Sequence, residues 1–85
     1  MRTKSSGNRY TPEQTSEWIQ KRMEKLGIAS YEDLAQLTGF DRATLSRYFR
    51  HERRPSIDVI APLCEVLQVS PETILIALGA IDTKN

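Results

Sequence analysis

Five arginines fall at positions 42, 47, 50, 53 and 54. A guanidinium is a planar fork of donors that can bond two acceptors at once, on a phosphate or on the edge of a guanine base. With Leu45 facing a core and a helix advancing about 100° per residue, Ala43, Arg47 and Arg50 point away and Ser46 lies at the flank. Arg42 sits in the first turn. An outward face that begins with arginine and repeats it suits a major groove. A solvated basic face is the competing reading, because charged residues usually do no more than meet water.

The residues around these arginines place Arg42, Arg47 and Arg50 on the second helix of a helix-turn-helix spanning Tyr31 to Pro55, which finishes in a basic cluster at Arg53 and Arg54. Two short helices crossing steeply need a small side chain at their contact, which Ala35 supplies. Gly39, four residues later, supplies a turn residue able to take positive φ. Asp41 is placed to cap the next helix, whose Leu45 and Tyr48, with Phe49 beside them, are expected to dock on Leu34, Leu37 and Phe40.

The chain of 85 residues has a formal charge of +1, unremarkable in total but unevenly spread. Residues 1 to 10 carry Arg2, Lys4 and Arg9 with no acid, and residues 41 to 55 set five arginines against Asp41 and Glu52. Each stretch is therefore +3. Residues 56 to 85 are −3, with Asp58, Glu65, Glu72 and Asp82 against Lys84. A polyanion would be oriented by that asymmetry. The expected organisation is a flexible basic arm over 1–10, one domain over 11–80 and a short tail over 81–85.

The lone Cys64 lies in an apolar helical stretch and reads as a small core residue in a reducing compartment. No apolar run approaches the ~20 residues of a membrane span, and no signal-peptide core follows the basic start. A cytoplasmic protein without membrane contact is expected. One histidine, one cysteine, no ligand cluster, no glycine-rich phosphate loop and no paired carboxylates argue against an enzyme, a metal site or a cofactor.

The pattern predicts five helices and no strand, an all-α bundle. Thr11-Pro12-Glu13-Gln14 starts the first helix with a capping box, and Gly27 stops it after Leu26. Trp18, Ile19, Met23 and Leu26 form its core stripe, Trp18 being the member expected to be partly exposed. Ser30 and Asp33 open the second helix, Tyr31 to Thr38. Ser56 is expected to cap a fourth, with Ile57, Ile60, Leu63, Cys64 and Leu67 facing inward to about Leu67. Pro62 leaves open a kink there or a helix that begins near it. Ser70-Pro71-Glu72 opens a fifth through Ile74, Leu75 and Leu78, with Gly79 able to end it short of Ala80. Ile74, Ile76, Leu78 and Ile81 exceed what one buried stripe needs. They are candidate contacts with a second copy, or else the fully used core of a small protein.

LAQLTGFDRATLSRYF and RRPSIDVIAPLCEVLQVSPETIL together resemble the phage-repressor (lambda repressor-like, Cro-type, XRE) helix-turn-helix family over roughly Trp18 to Leu75. The resemblance implies a transcriptional regulator, a repressor as its leading form. It would bind double-stranded operator DNA as a homodimer, with the third helix in the major groove. The family's base-reading places fall on Arg42, Ala43 and Arg47. Backbone contacts fall on Tyr31, Thr44, Ser46, Arg50, Arg53 and Arg54, with Arg2, Lys4 and Arg9 as a wrapping arm. Tyr31 stands where a glutamine is common, Phe49 where an acid is common, and His51 and Gln68 where glycines are common. His51 is expected to be a turn residue. A module that binds a protein partner, such as an antitoxin, is the alternative that the excess apolar surface suggests.

Overall fold

The computed structural model describes residues 9–83 and contains five α-helices: α1 (Pro12–Leu26), α2 (Tyr31–Thr38), α3 (Arg42–Phe49), α4 (Ile57–Leu67) and α5 (Pro71–Ala77). α2 packs on α3 and α4 on α5, while α1 touches α3, α4 and α5. The expected starts are present in detail. Gln14 N–H donates to Thr11 Oγ1 at 3.2 Å and Thr11 N–H to Gln14 Oε1 at 2.9 Å, closing the capping box. Asp33 N–H donates to Ser30 Oγ at 3.2 Å, and Thr44 N–H to Asp41 Oδ1 at 2.7 Å. The hydroxyl and carboxylate caps satisfy amide groups that the first turn of a helix leaves without partners.

Leu34 and Ala35 of α2 bury against Leu45, Tyr48 and Phe49 of α3, with Ile19 and Met23 of α1 beneath them. Val59, Leu63 and Leu67 of α4 and Ile74 and Leu78 at α5 complete the core. Trp18 is half-buried against it, and Cys64 packs at its margin, where burial pushes the thiol pKa up.

Two expected core residues face water: Leu37 is 59% exposed and Ile57 83%. In α2 the inward face centres between Tyr31, Leu34, Ala35 and Thr38, leaving Leu37 roughly 110° away on the helical wheel. Ile57 lies similarly far from the α4 face shared by Val59, Ile60 and Leu63. The Ser56 hydroxyl makes no cap bond. Its own carbonyl accepts from Val59 N–H at 3.1 Å, taking the donor that the hydroxyl would have served.

Pro62 lies inside one continuous α4. Gly79 does end α5 early: its last residue is Ala77, and Gly79 follows with φ +75°. Ile74 and Leu78 are buried in the core and so are not available as contacts with a second copy. Ile76 and Ile81 are half-buried.

Candidate nucleic-acid interface

α3 is divided lengthwise. Leu45, Tyr48 and Phe49 are buried, whereas Arg42, Ala43, Arg47 and Arg50 are exposed and Ser46 and Thr44 are intermediate. Ala35 makes the close approach of α2 possible, and the Gly39 N–H donates to the Ala35 carbonyl at 2.9 Å as the chain reverses at φ +85°. Asp41 anchors the start of α3. Hydrogen bonds from Thr44 hold its carboxyl below the ordinary carboxylate pKa, with a smaller contribution from the Arg47 charge.

A surface groove of about 550 Å³ runs between the start of α2 and the outward face of α3, lined by Tyr31, Glu32, Arg42, Ala43, Ser46, Arg47 and Arg50. Six of these seven are positions the sequence singled out. Glu32 is the addition. An acid there completes the favourable first turn of α2, where the helix dipole welcomes negative charge, and that local role conceals its place on the groove wall.

Two residues that depart from the family-like pattern meet each other. The Tyr31 ring packs edge-to-face on Phe49, with centroids 5.4 Å apart and planes at 67°. The contact ties the first residue of α2 to the last of α3, a geometry aromatic pairs favour.

The end of α3 is closed by backbone bonds from His51 N–H to Tyr48 O (3.1 Å) and from Glu52 N–H to Arg47 O (2.8 Å). This is a Schellman closure with His51 at φ +63°, where glycine is the easier residue. His51 is thus the turn residue the sequence suggested, with a further role. Its Nε2 lies 2.7 Å from the hydroxyl of fully buried Thr15, and that hydroxyl donates to the Ala77 carbonyl. Burial lowers the imidazole pKa, partly offset by Glu13.

Beyond this turn, Arg53 lies over the Tyr48 ring, 5.8 Å from its centroid. Arg50 pairs with Glu52 at 3.3 Å. Arg9, expected in a free arm, is instead held to Asp82 at 3.1 Å by opposite charge. Arg9, Arg53 and Arg54 converge with His51 on a cleft of about 190 Å³. Arg2 and Lys4 lie outside the described residues.

A model of the Cro/C1-type HTH DNA-binding domain matches residues 19–78. The chain belongs to the Cro/C1-type helix-turn-helix family. The match covers the whole of α2, α3, α4 and α5 and the second half of α1. No curated protein and no solved structure matches the chain. As a DNA-binding domain of this family it exposes Arg42 and Arg47 on α3 and Arg50, Arg53 and Arg54 directly behind it, while Lys21 and Lys25 are exposed on α1. Among the described residues no single helix is long and apolar enough to cross a membrane.

Proposed function

We propose that this chain is a sequence-specific regulator of transcription, a repressor in its simplest form, that acts in the cytoplasm by laying α3 in the major groove of double-stranded operator DNA. The lengthwise division of α3 carries this reading. Its buried side locks it to the core, and its outward side presents Arg42, Ala43 and Arg47 from a rigid support. Arg42 and Arg47 would bond base-edge acceptors in pairs, and Ala43 would offer a methyl to a thymine. Tyr31, Thr44, Ser46, Arg50, Arg53 and Arg54 would fix register through the backbone. Arg2 and Lys4 would add positive charge towards the backbone from the N-terminal side, whereas Arg9 is tied to Asp82.

Binding as a homodimer would address two half-sites about one helical turn apart. Of the four apolar residues expected at a contact between copies, Ile76 and Ile81 are the two that stay partly exposed. Selection of bound sequences from random duplex DNA tests the whole reading: a palindromic consensus is expected. Enrichment of no sequence over bulk duplex would refute sequence-specific regulation.

A further inference from the structure

The small cleft between the loop after α3 and the end of α5 has an unbalanced electrostatic composition. Arg9, Arg53 and Arg54 line it together with His51, Leu78 and Gly79. Arg53 is steadied by the face of Tyr48. Arg54 forms no ion pair among the described residues. The carboxylate given to this cluster is Asp82, whose Oδ1 accepts from Arg9 Nε at 3.1 Å. A carboxylate spreads one negative charge over two oxygens, and so does a phosphodiester.

We propose that this cleft seats one phosphodiester of the DNA backbone, and that Asp82 holds Arg9 as an internal substitute which that phosphate displaces. The inference rests on the DNA-binding reading above and adds a site and an exchange to it. Position favours a duplex ligand: Arg53 and Arg54 follow directly on the turn that ends α3, so a duplex lying along that helix passes its foot. Exchange is feasible because the Arg9–Asp82 pair is open to solvent, with side chains 51% and 25% exposed. Such pairs are screened and weak. A phosphate at the cleft would gain two further guanidiniums that Asp82 leaves unused.

A double-mutant cycle tests the exchange. Affinity for a selected duplex is measured for the full chain and for Asp82→Asn, Arg9→Ala and the double variant, at several salt concentrations. Asp82→Asn is expected to tighten binding about two- to fivefold. In the Arg9→Ala background that gain should vanish. The logarithmic salt dependence should be shallower by about one in Arg9→Ala than in Asp82→Asn. An Asp82→Asn gain of equal size in both backgrounds means that the acid acts on the duplex at a distance, and it overturns the assignment; so does the absence of any gain. Inorganic phosphate, added at constant ionic strength, should leave the gain in place, and its abolition would show that the cleft takes free phosphate in preference. A wild-type chain that binds no duplex defeats the DNA reading and the seat together, whereas additive effects on a bound duplex defeat the seat alone.

Discussion

The hydrogen bond between Thr15 and His51, 2.7 Å long, runs from the imidazole to the hydroxyl. Thr15 has one proton, and it is committed to the Ala77 carbonyl, which can only accept. Nε2 must therefore carry the hydrogen. The resulting relay joins the turn behind α3 to α1 and to the end of α5, and it holds the turn from which Arg53 and Arg54 extend.

Thr15→Val keeps the shape of the buried side chain but removes both ends of this relay. The imidazole N–H and the Ala77 carbonyl then lose their partner in a poorly solvated place. A loss of about 2–3 kcal/mol in unfolding free energy is expected, measured by denaturant titration. Thr15→Ser should recover most of it. Equal stability of the valine and serine variants would show that the relay contributes nothing.

Stability should depend on pH through His51. Burial lowers its folded pKa below the ordinary 6.5, so between those two values the unfolded chain binds a proton that the folded chain does not. The contribution is complete above 6.5 and declines as pH falls through 6.5 towards the folded value. Denaturant titrations at pH 8, 7, 6 and 5 should show that decline in the wild type. It should be smaller in His51→Asn, which tolerates the same backbone but does not titrate. Asp41 acts in a separate, more acidic window, its carboxyl being held below 3.8.

Two glycines with similar backbones should respond differently to alanine. At Gly39 (φ +85°) a Cβ meets nothing within 4 Å, so only backbone strain of about 1 kcal/mol is added. At Gly79 (φ +75°) it would lie 2.6 Å from His51 Cε1 and 2.9 Å from the Tyr10 carbonyl oxygen. The imidazole is held by Thr15 and has no free rotation to yield. Gly79→Ala should cost about 2 kcal/mol or more and lower the melting temperature well beyond Gly39→Ala.

Gln68 ends α4 at φ +59°. Its carbonyl and that of Leu67 accept from Arg22 at 3.0 and 2.8 Å, bonds that belong to the backbone. Gln68→Gly removes the left-handed strain and keeps those acceptors. A gain of about 0.5–1 kcal/mol is expected in thermal or chemical unfolding.

Arg47→Ala and Arg54→Ala should separate base reading from backbone grip. The first is expected to lose about 1–3 kcal/mol on the selected operator and to relax preference at one base pair. The second should weaken all duplexes alike and reduce the salt slope by about one. Fluorescence anisotropy on operator and scrambled duplexes distinguishes them. Retained specificity in Arg47→Ala would remove that residue from the reading set.

The boundaries of α1, α2 and α3 were legible because their starts and stops are local chemistry. Thr11 with Gln14, Ser30 and Asp41 write the starts, and Gly27 and Gly39 write two of the stops. The outward residues of α3 were legible from one helical wheel, since Leu45 fixes its phase. Leu37 and Ile57 were misplaced for the converse reason: in helices of eight and eleven residues, apolar side chains on adjoining faces leave the centre of the stripe ambiguous. Thr15 gave no signal at all. Its partner is 36 residues away, and a threonine in a first helical turn looks like an ordinary surface residue. Glu32 and the Arg9–Asp82 pair likewise depend on which segments the fold brings side by side.

Tyr31 is at once a wall of the groove beside α3 and, through Phe49, a closure on the core. If α3 reads DNA as proposed, Arg42, Ala43 and Arg47, all exposed, could be exchanged without disturbing the interior. Tyr31 has no such freedom, because any change there is also a change in packing against Phe49. That position should evolve slowly, and in company with residue 49.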